Sequence, residues 1–410
     1  VNQAAKTEAE RASSGEAHVH PEELRISRTD ARGVIQAANG AFRRQAGHDW
    51  ESLIGAPHGI IRHPDMPCGV FHLFWERLKA GREVGAYVKN REASGRHYWV
   101  FAVALPVPEG YVSVHLEPTS PLFAKIPALY SELRKAETQD GVGPGQSSDP
   151  LSARLPALGF DGYEDFMAEA LCTEFSARAE LLARPLERSV AHARETASAI
   201  HTARCHAKRV AMLFDEIRNV PTNIRILAAQ LEEGSGPIGV ISTNHTSLSE
   251  EMLNSVDAFQ RAATATYSAI AFGLFRACSA ALLQECAEGY RRETDLPVAI
   301  DGAREARTLS EASRRCATEA EEAMVGVSAE VTRFADVAGA LKRHVAGLDV
   351  ARIMCKIENA RFRPATTSLT EIIDNLEENQ AQIGDQLSEI EKAAQSILNT
   401  ARRASVQRVA

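Results

Sequence analysis

His58-Gly59-Ile60-Ile61-Arg62-His63-Pro64-Asp65-Met66-Pro67 sets two imidazoles, a guanidinium and a carboxylate close together in the chain. Pro64 and Pro67 stiffen the run, because each fixes φ and restrains the residue before it. A pocket for a polar ligand needs that mixture more than a solvated loop does. Outward from it the pattern is α+β. Residues 24–27 alternate as a half-buried strand, 30–33 turn, and 34–39 return as a second strand. Residues 41–47 and 48–55 read as short helices. Val70, Phe71, Phe74, Trp75 and Leu78 fall at helical spacing before Gly81. Three strands follow at 84–91, 97–106 and 111–117, with turns at 90–95 and 106–110. The expected domain is an antiparallel sheet whose small helices enclose one face, over residues 23–120. His97, Tyr98 and Trp99 alternate along a strand, so one side of that strand is core.

The R-H-P-D-M-P run, Val88-Lys89-Asn90-Arg91 and His97-Tyr98-Trp99-Val100 together resemble the sensory PAS domain of bacterial aerotaxis receptors. The resemblance covers about a quarter of the chain. It implies a PAS fold and bound flavin adenine dinucleotide (FAD). The family's flavin-associated Arg, His and Asp fall on Arg62, His63 and Asp65, and its Y/H-A-N segment on Asn39. His58 and Asn90 complete the expected cofactor contacts. One departure bears on the cofactor and not on the fold. After Leu78-Lys79-Ala80-Gly81 the family carries a Trp where this chain has Val84, which removes an indole that could stack. Haem held by His58 or His63, or no cofactor, stays open. So does a plainer role for Asp65 and Pro67 as the start of a helix.

The 410 residues allow two or three domains. A net charge of −8 with no sustained Lys/Arg cluster excludes nucleic acid as the main partner. Seven cysteines, an odd count with no C-x-x-C pair, point to free thiols in a reduced, cytoplasmic protein. The most apolar run, residues 262–275, is short, Ala-rich and closed by Arg276. It reads as a buried helix, with no membrane insertion.

Residues 1–22 read as a disordered or capping lead-in, and 121–160 as a connector helix (122–135) and flexible linker (139–150). From 161 to 410 the chain reads as an all-α coiled-coil or bundle region, in stretches ending near 233, 292, 362 and 403. In the last stretch Leu369, Ile373, Leu376, Ile383, Leu387, Ile390, Ala394 and Ile397 keep a heptad that only Gln380 interrupts. Thr222-Asn223, Leu227, Ala229, Leu231 and Glu232, then Ile238, Val240 and Ile241 across a Gly-rich turn, resemble the hairpin tip of methyl-accepting chemotaxis receptors. The tip, near 233–238, is shortened, lacks the family's Arg, and is preceded by Pro221. The resemblance implies a degenerate signalling region with Asn223, Leu227, Leu231, Glu232 and Val240 at the tip. It also implies a homodimer coupled to a chemotaxis histidine kinase and its coupling protein. A PAS-regulated dimeric interaction protein without kinase coupling is the alternative. No P-loop, G-x-S-x-G, H-E-x-x-H or phosphotransfer-histidine motif is present, so no enzymatic activity is expected. Glu321-Glu322 and Glu377-Glu378 are candidate methylation pairs.

Overall fold

A computed structural model describes residues 15–139, 148–217, 220, 222, 223, 226, 235–360 and 367–409. Five strands, β1 (Arg25–Thr29), β2 (Ile35–Ala38), β3 (Val84–Arg91), β4 (His97–Val107) and β5 (Gly110–Leu116), form one antiparallel sheet ordered β2-β1-β5-β4-β3. Between β2 and β3 lie α1 (Gly40–Ala46), α2 (Trp50–Leu53), a 3₁₀ turn (His58–Ile61) and α3 (Cys68–Lys79). Gly110 opens β5 at φ 140°, where a Cβ would stand 2.0 Å from the Thr29 carbonyl oxygen, so the hairpin closes there only around glycine.

Register assigns the two faces. Arg25, Ser27, Ser113, His115, Ala102, Ala104, Ala86 and Val84 share one side. Phe42 of α1 packs there on His115, in line with the helices covering it. Ile26, Val112, Val114, Leu116, Phe101, Val103 and Tyr87 share the other. Three helices cover this outer face. They are α4 (Ile126–Gln139), α6 (Tyr163–Leu181) and the part of α8 (Ser235–Arg292) around Phe275, with Tyr87 against Phe166 and Gly85 close to Phe275. Glu174 of α6 is fully buried and accepts from Tyr87 Oη (2.7 Å), Thr119 N (2.7 Å), Ser120 N (3.0 Å) and Ser120 Oγ (2.5 Å). Burial raises its pKa despite those four donors.

The chain divides into two compact units, residues 1–191 with 271–322, and 192–270 with 323–410. The second is built from α7 (Arg188–Ile217) after Ala191, α8 as far as Ile270, α9 (Gly302–Asn359) from Ala323 on, and α10 (Thr367–Val409). Arg204 of α7 lies over Tyr267 of α8 (3.7 Å), and Phe259 of α8 stacks on Phe334 of α9 (5.0 Å). Lys342 of α9 pairs with Glu391 of α10 (2.8 Å), and Gln386 of α10 meets His206 of α7 (2.6 Å). The helices thus pack on one another within one chain. Ile373, Leu376, Ile383, Leu387, Ile390 and Ile397 of the α10 heptad are at most 1% exposed. The break in the heptad is answered from α9, where Arg352 Nε donates to Gln380 Oε1 at 3.0 Å.

Several boundaries differ from the sequence expectation. Residues 1–14 and 140–147 lie outside the described residues, but Glu16 bridges His97, so the lead-in joins the sheet before residue 22. Within the expected linker, Ser148–Arg154 is helical (α5). The tip expected near 233–238 does not interrupt the helix after Ser235. Helix α8 begins at Ser235 and contains Gly236 and Pro237, because proline is tolerated in a first turn, where its missing N–H has no partner to lose. The apolar run falls in the described residues' one helix segment long and apolar enough to cross a membrane, Leu253–Arg292, and 78% of its most apolar window is buried in the protein.

Candidate functional site

The inner face of the sheet, which carries Arg25, Ser27, Ser113 and His115, is unusually polar for a core. His58, in the 3₁₀ turn, points its ring inward. The rings of Phe42, His58 and His115 stand 5.7–5.8 Å apart as a triangle. His58 Nε2 lies 3.0 Å from Ser27 Oγ, and His115 Nε2 lies 2.9 Å from Ser113 Oγ. Burial brings the His58 pKa down to about 4 and holds His115 well below its ordinary value, so both rings are neutral near pH 7. Arg25, 1% exposed, donates to the Glu23 and His20 carbonyls. Asn90, 2% exposed, faces Tyr98 across the β3–β4 pair without bringing Nδ2 into hydrogen-bond geometry. His115 Nδ1 and Asn90 Nδ2 are both buried without a partner, which is costly unless something else meets them.

The R-H-P-D-M-P run lies along the free edge of β3. Arg62 bridges Asn90, His63 N donates to the Lys89 carbonyl (3.3 Å), and Lys89 N reaches Met66 Sδ (3.1 Å). Of the run's three charged or titratable side chains, Arg62 turns away from the other two, while His63 Nδ1 accepts from Asp65 N at 3.1 Å and lies 3.4 Å from Asp65 Oδ2. The Arg62 guanidinium stands 3.9 Å over Phe71 and 3.9 Å from Cys68 Sγ, with no carboxylate partner among the described residues. The His63 ring turns to His97 (5.9 Å), and burial and Lys89 lower its pKa. Asp65 is exposed and bound by Lys89 (2.8 Å), whose hydrogen bond lowers the carboxyl pKa. Pro67 occupies the N-cap position, one residue before the first turn of α3, and no side chain caps the helix there, Asp65 included.

Asn39 is fully committed elsewhere. It caps α1 through Phe42 N (3.0 Å), accepts from Ile26 N (3.0 Å) and donates to Leu24 O (2.8 Å), tying α1 to β1. The structure therefore brings His58 and Asn90 to the inner face, sets Arg62 beside α3, and turns His63 and Asp65 along the β3 edge. Sequence reasoning missed Ser27, Ser113 and His115. The available signal was Ser113 and His115 two apart in a strand whose alternate positions, Val112, Val114 and Leu116, are apolar. At the proposed tip, Asn223 is exposed, Leu227, Leu231 and Glu232 lie outside the described residues, and Val240 is within α8. Glu377 is paired to Arg352 and Lys356, while Glu321 and Glu322 are exposed on α9.

Residues 35–114 match the model of the PAS fold family. The front domain is a PAS domain. The aerotaxis receptor of Escherichia coli (strain K12) is 36% identical over 125 residues, which are 29% of this chain and 25% of that receptor. The chain thus spans about a quarter of that relative's length. Among solved structures, a PAS domain from Colwellia psychrerythraea shares 20% identity (23% of this chain, 86% of that one, TM-score 0.21). The blue-light activated histidine kinase of Erythrobacter litoralis shares 14% (37% and 49%, TM-score 0.22). Behind the PAS domain run the long helices α7 to α10.

Proposed function

We propose that this chain is a cytoplasmic signal-transduction sensor, not an enzyme. Its PAS domain holds a flavin, most simply FAD, and reports the redox or oxygen state through the helices behind it. The observation that carries the reading is the pair of buried, unpaired polar atoms, Asn90 Nδ2 and His115 Nδ1, on the inner face of the sheet. They fit a heteroaromatic group whose carbonyl and ring-nitrogen atoms can meet an amide donor and an imidazole. Ala38, Ala86, Ala102 and Ala104, all at most 2% exposed, keep that region narrow in side-chain bulk. Asn90, His115 and His58 would hold the ring, and Arg62, which has no carboxylate partner among the described residues, would meet an anionic group at the domain edge. When bound, the flavin supplies one- or two-electron redox chemistry, and neighbouring charge tunes it. Asn39 shapes the site through the α1 cap.

The aerotaxis relative and the chemoreceptor-like residues of the helical region support kinase coupling as the output. A homodimer fits the same resemblance. The α10 heptad is filled within the chain, so a second copy binds through another surface. The test is the absorption spectrum of the purified full chain, with flavin added during refolding. Flavin bands that weaken in N90A and H115A support the reading. A Soret band assigns haem instead, and a protein that stays colourless after flavin addition overturns it.

A further inference from the structure

Helix α3 starts directly after the R-H-P-D-M-P run, and its own sequence supplies no cap: Pro67 holds the N-cap position with no side-chain acceptor. The cap comes from another helix. Glu137, in the last turn of α4, accepts from Cys68 N and Gly69 N at 2.9 Å each, with its side chain 4% exposed. A carboxylate across two free N–H groups at a helix N-terminus is a charge-assisted, two-point contact. The Arg62 guanidinium lies against the same first turn, 3.9 Å from Cys68 Sγ.

The other end of α4 is anchored on the opposite face of the sheet. Tyr130 Oη donates to the Tyr87 carbonyl at 3.0 Å, and Ile126, Leu129 and Leu133 are buried beside it. Helix α4 therefore runs from the outer face at Tyr87 to the first turn of α3. Pro127, Ser131 and Arg134 of α4 line an open groove of about 1730 Å³ together with Lys89 and Trp99.

We propose that α4 is a releasable strap latched by Glu137 on the α3 N-terminus, and that its release passes the state of the Arg62 edge to the chain beyond. What the strap transmits rests on the sensor reading above. That the latch exists does not, so it is tested without ligand. Removing a charged cap raises the open population about ten-fold. Hydrogen exchange by mass spectrometry on the full chain, wild type against E137Q and E137A, should show about that rise in residues 126–139 and at Cys68 and Gly69, with β4 and β5 unchanged. A second variant separates a latch from mere helix support. In P67D/E137A the introduced carboxylate gives α3 a cap of its own, so protection should return at Gly69 while α4 stays loose. Unchanged exchange in α4, a uniform rise through the sheet, or retightening of α4 in the double variant would each overturn the proposal. A protein that binds no flavin yet shows the predicted exchange pattern separates failure of the cofactor reading from failure of the latch.

Discussion

Acid should weaken the PAS domain through its buried imidazoles. In the folded protein, burial brings the His58 pKa to about 4. In the unfolded chain the ring titrates near its ordinary 6.5. Below that value the unfolded state binds more protons, so the stability this group contributes is whole above pH 6.5 and is lost as pH falls through 4. The full linkage is about 3 kcal/mol, and about 2 kcal/mol of it is lost between about pH 7 and about pH 5. His115 has the same sign, its pKa depressed by burial and then by the charges of His58 and Arg25. Glu174 has the opposite sign. Its raised pKa gives stability that is present at acid pH and declines as pH rises. The comparison that isolates His58 is wild type against H58Q, which keeps a polar atom for Ser27 and does not titrate. Trp50, Trp75 and Trp99 all lie in the PAS domain, so tryptophan fluorescence during urea unfolding reports that domain alone. Wild type should lose about 2 kcal/mol more than H58Q over that pH interval. Equal losses would refute the buried, neutral ring.

Two further outcomes follow from packing. E174Q keeps the shape of the buried side chain but puts an amide nitrogen where one carboxylate oxygen accepts two donors, so those two lose their acceptor. It should cost about 2–4 kcal/mol by the same fluorescence assay, and a loss under about 0.5 kcal/mol would mean the network contributes nothing net. F334A removes one ring of the stacked pair with Phe259 and leaves a void in the second unit. Thermal unfolding followed by helical circular dichroism should show about 3–5 kcal/mol less stability in that unit, with the tryptophan signal unmoved.

Strands and helices of the PAS domain were legible because the chemistry is local: β-branched alternation, helical spacing from Val70 to Leu78, and glycine where the turns need it. The R-H-P-D-M-P run marked the right place but not the arrangement within it. A sequence shows which side chains are near one another along the chain. It does not show that strand pairing beside β3 turns Arg62 towards Phe71 and leaves His63 and Asp65 in contact with each other, with Asp65 bound by Lys89. The inner face escaped for the converse reason. His58 and His115 are 57 positions apart, and only register brings their rings within 5.8 Å. Asn39 stands out in the sequence for its segment, and the structure adds that it caps α1. The α10 heptad was read correctly as a seam. Its partners could not be read, because a heptad specifies that a helix packs and not whose helix it packs on.

The contact between Arg352 and Gln380 limits how the second unit can move. Along α10, the positions one heptad to either side of Gln380 are Ile373 and Leu387, both at most 1% exposed. Sliding α10 lengthwise by that repeat, about 10 Å, would press an aliphatic branch onto a guanidinium that is nearly sealed from water. The ladder of otherwise interchangeable apolar layers therefore has one permitted notch. Twisting or sideways splaying of the rods keeps that notch engaged, and a piston stroke does not.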